Sequence, residues 1–433
     1  MFPLPPADLP PDPHVVVPPP PPPSHTKALG IGALATLLAG MSMLGPFSID
    51  AYLPAFSSIQ QSFGASALEV QQTLTVYMLA FAAMVLWHGA LADAFGRRNV
   101  TIVALIVFAV ATLGCAASHS VHYLWVFRIL QGLSAGAGVV VGRAIIRDLY
   151  SGPEAARLLS LVTMIFSIAP AVGPILGGVI VKLLDWRSIF LFLFVYTVLL
   201  TWFCYRRLPE TLPPERRQPF NPRYLVRNYG EIVRSPLFHM KAGVVAFNFC
   251  GLFVYISAAP IMLPESLGLG PAQFGWLFVP SVAGIFCGAL MANRIAGSSS
   301  IPRQIRIGFT MILLSCLANV AYHLVWPPAL PWSVAPIFFY TFGMSLVAPG
   351  ANMLAMDLFP HIRGTVSSCQ QFAVTLLGAL VAGLVAPWLA HSMLALATGQ
   401  LVFALLAYGL WRASRHYKRR LARSAAATAP GAD

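Results

Sequence analysis

The chain predicts an all-α membrane protein with twelve transmembrane helices, and three observations carry that prediction. Of 433 residues, 58% are hydrophobic and 9% charged, whereas soluble domains carry about a quarter charged residues. Apolar stretches long enough to cross a hydrocarbon core as helices, which takes about 20 residues each, recur along the chain. They fall near 28–50, 69–92, 99–119, 121–143, 158–181, 188–206, 242–262, 272–293, 305–325, 334–354, 365–388 and 392–412. Lysine and arginine, finally, gather in alternate connections between these spans.

Charge placement orients the chain. Arg97 and Arg98 lie between spans 2 and 3, and Arg147 and Arg157 between spans 4 and 5. Arg206, Arg207, Arg216, Arg217, Arg223, Arg227 and Arg234 fill the segment between spans 6 and 7. Arg294 and Arg303 follow span 8, Arg363 follows span 10, and a basic run from Arg412 closes the chain. The opposite connections (51–68, 117–121, 263–271, 326–333, 389–391) hold no Lys or Arg, and only Lys182 and Arg187 break the pattern. Positive charge is retained on the cytoplasmic side, so both termini are expected there. The net charge of +13 is thereby explained by orientation, and nucleic acid is excluded as a partner.

The domain organisation follows from the polar segments. Residues 1–24 end in the prolines Pro18 to Pro23 and read as a disordered cytoplasmic tail without the features of a signal peptide. Residues 25–206 form an N-terminal six-helix bundle, 207–241 a cytoplasmic central loop, 242–412 a C-terminal six-helix bundle, and 413–433 a basic cytoplasmic tail. Asp50-Ala-Tyr-Leu-Pro54 closing span 1 faintly echoes Ala259-Pro260-Ile-Met-Leu-Pro264 closing span 7, as duplicated halves would. The six cysteines all fall in apolar spans without a Cys-x-x-Cys pair, which favours packing over metal or disulfide chemistry.

Charge inside a bilayer is costly, so each intramembrane ion needs a reason. Asp50, near the end of span 1, and Arg128, two turns into span 4, lie at similar depth. They can meet as an ion pair that fixes two helices, or Asp50 can be a titratable carboxylate tuned by the arginine. Arg128, Gln131, Gly132, Ala135 and Gly136 recur at offsets that share one helix face. Span 5 carries Pro170, Gly173, Pro174, Gly177 and Gly178, prolines that bend a helix and small residues that allow close packing. Gly89, Asp93, Gly96, Arg97 and Arg98 put an acid and two guanidiniums in a tight turn at a membrane surface.

These runs resemble the major facilitator superfamily and, within it, the twelve-helix drug:proton antiporters. The turn matches Gly-x-Leu-x-Asp-x-x-Gly-Arg-Arg, span 4 matches Arg-x-x-Gln-Gly, and span 5 matches Gly-Pro-x-x-Gly-Gly. Asp50-x-Tyr52-Leu-Pro54 and Leu208-Pro209-Glu210-Thr211-Leu212 are similar to the bicyclomycin/chloramphenicol-resistance branch. The resemblance implies the major facilitator fold, two pseudo-symmetric six-helix bundles. It implies that Asp93 and Arg97 latch a cytoplasmic gate, with Asp148 a partner for one arginine and Asp93 facing the start of span 11. It also implies that Asp50 carries the proton and Arg128 is linked to its movement. The corresponding turn between spans 8 and 9 (Ala292-Asn293-Arg294-Ile-Ala-Gly297) is degenerate, so the latch is one-sided.

The resemblance further implies a bacterial inner-membrane monomer that exports small amphipathic compounds, energised by the proton gradient with no cofactor. Its substrate cavity between the bundles takes Met43, Phe47, Tyr77, Gln131, Asn248, Tyr255, Tyr340 and Met344 as candidates, each equally readable as helix packing. His119 and His122 do not make a convincing metal pair, and no metal is expected. A nutrient or metabolite symporter or uniporter of the same fold is the alternative. A membrane enzyme would need clustered catalytic acids or histidines at one face, which the sequence lacks.

Overall fold

The computed structural model describes residues 30–295 and 299–427; the proline-rich 1–24, the end of the degenerate 8–9 turn and the last residues of the basic tail lie outside them. Among the described residues, twelve helices are long and apolar enough to cross a membrane: Ile31–Phe63, Ala67–Phe95, Arg97–Ala116, Val121–Leu149, Gly152–Leu183 and Arg187–Arg207, then Pro236–Leu267, Pro271–Ile295, Ile301–Val325, Ala335–Met356, Arg363–Leu389 and Met393–Arg420. They are spans 1 to 12. The first six pack on one another, as do the last six, and the halves meet where span 2 lies along span 11 and span 5 along the start of span 8.

Local sequence explains the interruptions. Span 4 is two helices, Val121–Ala135 and Ala137–Leu149, meeting at Gly136. Span 5 is likewise Gly152–Phe166 and Ala169–Leu183, because Pro170 removes a backbone donor just past the break. Span 7 starts at Pro236 rather than at 242, since the Ser235 side chain accepts from Phe238 N and proline fits the first helical turn. Span 12 continues without a break to Ala427, so much of the basic tail is helix. Its alanines, arginines and leucines favour helix, and neither Gly nor Pro interrupts them after Gly409.

The central segment is a brace rather than a plain loop. Helix Pro222–Val233 donates from Tyr229 Oη to Leu86 O on span 2. It also pairs Glu231 with His361 at 3.5 Å, just before span 11, and buries Ile232 against Phe238, Phe359 and Val366. It thus touches both halves at the end that carries Arg97 and Arg98, here called the basic end.

At the opposite, far end the halves are sewn together by two glutamines of span 2. Span 11 contains a π-helical turn, Val381–Val385, ahead of Pro387. Proline has no N–H to give to the carbonyls one turn back, so those of Ala382 and Gly383 need other donors. Gln71 Nε2 donates to Ala382 O (3.0 Å) and to Ser257 O of span 7 (3.2 Å), and Gln72 Nε2 to Gly383 O (3.1 Å).

The closest joint involves span 5. A Cβ on Gly173 would sit 3.0 Å from Asp50 Cβ, and one on Gly177 would sit 2.0 Å from Ala51 O. One on Gly178 would meet Pro271 O, across the divide, at 2.1 Å. Two backbones therefore touch span 5 at consecutive glycines, and no side chain fits there. Gly177→Val is expected to push span 5 off span 1 and lower the thermal unfolding midpoint of the purified protein sharply, overpacking costing about 1–3 kcal/mol or more. Gly409→Ala, with nothing within 4 Å of the new methyl, should leave that midpoint unchanged or raise it.

Candidate functional site

Between the halves lies a cavity of about 360 Å³, within the size range of small-molecule sites. Span 1 supplies Asp50, span 2 Tyr77, Met78 and Phe81, and span 4 Val139 and Arg143. The C-terminal half supplies Phe249 and Phe253 from span 7, Phe278 from span 8, Met344 from span 10, and Gln371 and Thr375 from span 11. Its wall is mostly apolar, with aromatic and thioether surfaces that adapt to varied shapes, and with a few polar groups.

Asp50 is 6% exposed. Its carboxylate has neither hydrogen bond nor ion pair among the described residues. The sequence allows an Asp50–Arg128 ion pair, and the structure does not form one. Arg128, fully buried, turns instead into the N-terminal half. Its Nη1 donates to Ser48 O (3.0 Å) and Gln131 Oε1 (2.9 Å), and its guanidinium lies 4.2 Å from the Tyr77 ring centroid and 4.7 Å from that of Tyr52. Gln131 is held in turn by Thr112 Oγ1 at 2.7 Å. Ring faces and a carbonyl take the place of a counter-ion. Asp50 is left for the cavity.

The other candidate cavity residues divide. Tyr77 and Met344 line the cavity. Phe47 packs edge-on against Phe192 and Tyr196 of span 6, and Met43 packs in the hydrophobic core. Asn248, Tyr255 and Tyr340 lie buried inside the C-terminal bundle, where the two tyrosine hydroxyls have partners and the Asn248 side-chain amide has none among the described residues. Asn319 Nδ2 donates to Tyr255 Oη (2.8 Å), Tyr340 Oη to Asn248 O (2.8 Å), and Gln400 Nε2 to Gly251 O (3.1 Å). These bonds join spans 7, 9, 10 and 12. Arg143 escapes the sequence reading because it sits where span 4 ends by hydropathy. Its four-residue spacing from Val139 and Arg147 is the signal that places it on the cavity face.

At the basic end, Arg97 is 8% exposed and held by two acids. Its Nη1 pairs with Asp93 Oδ1 at 2.5 Å and its Nε with Asp148 Oδ2 at 3.1 Å. Asp148 also accepts from Thr211 Oγ1 at 2.9 Å. Glu210, one residue before, caps span 3: it accepts from the backbone N–H of Arg97 (2.9 Å) and of Arg98 (3.3 Å). Arg98 reaches back to Tyr205 O at 2.7 Å. The Glu210-Thr211 step thus clasps the turn between spans 2 and 3, a contact that no spacing rule in the sequence announces. Asp93, Gly89 and Arg97 line a second cavity of about 350 Å³ together with Arg147 and with Gly364 and Thr365 at the start of span 11. Val140, Ala144 and Arg147 line this cavity while Val139 and Arg143 line the central one. One helix therefore serves both.

Gly96, at the turn, has φ 95°, a conformation that side chains rarely adopt, and an added Cβ would sit 2.4 Å from Glu210 Oε2. Gly96→Ala is expected to cost about 1–3 kcal/mol through the backbone, read as a lower unfolding midpoint. Glu210→Ala, which removes the cap, should cost about 1 kcal/mol. In the double variant the clash is gone and the backbone strain is not, so the two effects should sum to less than the singles. Full additivity would contradict the contact.

A family model described as the Major Facilitator Superfamily matches residues 33–383. The chain is 33% identical over 355 residues to an uncharacterized MFS-type transporter, YdgK, of Bacillus subtilis, covering 82% of this chain and 88% of that one. It is 28% identical over 387 residues to a bicyclomycin resistance protein homolog of Haemophilus influenzae, covering 88% and 96%. Among solved structures, the human organic anion transporter MFSD10 (TETRAN) superposes with a TM-score of 0.65 at 19% identity, covering 87% of this chain and 98% of that one, a likeness of fold. The chain belongs to the Major Facilitator Superfamily.

Proposed function

We propose that the protein is a proton-driven antiporter of the bacterial inner membrane that exports small amphipathic compounds by alternating access, with both termini cytoplasmic. The observation that carries this reading is Asp50, a carboxylate buried without a partner among the described residues in the wall of the cavity between the halves. A proton and a cationic or donor group of a substrate compete for such a carboxylate, and competition is what exchange requires. The bicyclomycin resistance homolog supports an antibiotic-like cargo.

The basic end is the cytoplasmic side in this reading, following the positive-inside bias. With the far end sewn by Gln71 and Gln72, substrate enters past Arg147 and meets Asp50. The halves then rock about the joint at Gly177 and Gly178, the far end opens, and a proton arriving at Asp50 displaces the cargo outward. As the halves close on the cytoplasmic side, the turn that carries Asp93 and Arg97 meets the start of span 11 across the second cavity. One charge moving inward gains about 2.3 kcal/mol per 100 mV. At roughly 150 mV that is about 3.5 kcal/mol, enough for a substrate gradient of a few hundredfold.

In liposomes with an imposed pH gradient, a panel of dyes and antibiotics should leave the cytoplasm-like side as protons move the other way. Asp50→Asn should abolish gradient-driven movement while the protein stays folded. Gradient-driven export that survives Asp50→Asn would contradict the assignment. Movement of cargo and protons in the same direction would point to a nutrient symporter.

A further inference from the structure

Asp50 and Arg143 are the one acid and the one base among the described residues that line the central cavity. They are not paired with each other: no ion pair within 4.0 Å joins them. Nor is Arg143 occupied elsewhere, for it makes no hydrogen bond, ion pair or ring contact among the described residues. Arg143 sits one helical turn inside Arg147 on the same face of span 4. Arg147 marks the basic end, lining the second cavity with Asp93, while Arg143 opens into the central one.

We propose that Arg143 and Asp50 form a two-charge substrate site, and that the preferred cargo is an amphipathic zwitterion. Such a molecule has an aromatic body, an amine directed to Asp50 and a carboxylate or similar anion directed to Arg143. This rests on reading the cavity as the substrate site of an exporter, and it names the class of cargo.

The argument is one of uncompensated charge. A guanidinium in a wall of Phe81, Phe249, Phe253 and Phe278 needs an acceptor once cargo displaces water from it. A simple lipophilic cation would satisfy Asp50 and leave Arg143 unpaired beside a like charge. A simple anion would satisfy Arg143 and, close to Asp50, would favour the protonated carboxyl. Anion and proton would then bind together, which is the coupling of a symporter. A zwitterion meets both charges and still exchanges its amine for a proton at Asp50. The rings on both halves take the aromatic body by stacking and edge contacts.

Three dyes with one fluorophore test this on the full-length purified protein. Nε-dansyl-lysine carries amine and carboxylate, dansylcadaverine the amine alone, and N-dansyl-6-aminohexanoate the carboxylate alone. By fluorescence titration the wild type should bind dansyl-lysine about tenfold or more tightly than either relative, as expected of one additional charge-assisted contact. Arg143→Gln should erase the advantage over dansylcadaverine while binding of dansylcadaverine holds or improves, and Arg143→Lys should restore part of it. Asp50→Asn should erase the advantage over N-dansyl-6-aminohexanoate. Dansylcadaverine binding best to the wild type would overturn the proposal, as would no binding of any dye or an equal loss of all three in Arg143→Gln. An unchanged ranking in Arg143→Gln would make that residue an orienting charge only, and proton-driven export could still stand. The expected ranking without gradient-driven export would instead sink the antiporter reading alone.

Discussion

The structure depends on a close approach of three backbones. Span 5 lies with Gly173 and Gly177 against Asp50 and Ala51, and with Gly178 against Pro271 of the other half. Any side chain at these glycines would separate the helices, and two things would be lost together. Asp50 is placed in the cavity by the helix end that Gly173 and Gly177 hold, and the far-end junction between halves passes through Gly178. The small residues that position the carboxylate thus also form a surface on which the halves can pivot. Prolines on either side contribute: Pro170 breaks span 5 before the contact, and Pro387 frees the carbonyls that Gln71 and Gln72 take.

Arg97 is held between two acids, Asp93 and Asp148. Arg128 is enclosed by a carbonyl, a glutamine and two tyrosine rings, its Nε and Nη2 having no hydrogen-bond acceptor among the described residues. Burying a charge without such partners is costly. Asp50 and Arg143 face the cavity without partners among the described residues, and their open valences are what a passing molecule can fill. Both of these cavity charges belong to the N-terminal half. The C-terminal half offers rings, amides and hydroxyls, with its strongest polar network, around Asn319 and Gln400, turned inward to join its own helices.

How much of this was legible in the sequence depends on what each residue had to encode. The twelve spans rest on length and hydropathy, which a bilayer enforces directly, and the division at 207–241 rests on the one long polar stretch. The break at Pro170 follows from proline chemistry, and the pairing of Arg97 with Asp148 from a resemblance. Side-chain direction was not legible. Asp50 and Arg128 share a depth, and nothing in helical spacing tells that the arginine turns toward Ser48 and two tyrosines. Asn248, Tyr255 and Tyr340 carry the same mark as a cavity lining, polarity inside an apolar span, but they are buried in the C-terminal bundle, where Asn319, from a helix distant in sequence, donates to Tyr255, and Tyr340 donates to the main chain of Asn248. Arg143 was hidden for the opposite reason: a charge at the hydropathic end of a span looks like an orienting charge until the helix is seen to continue to Leu149.

The central claim is that cargo and proton compete for Asp50. Its most direct test is to add Nε-dansyl-lysine to the purified protein in weakly buffered solution across the neutral pH range and record the pH change on binding. The account predicts that binding releases a proton from the wild type at some pH in that range, and that Asp50→Asn binds without release. Binding to the wild type with no proton release at any pH, or a release that Asp50→Asn leaves intact, would contradict it.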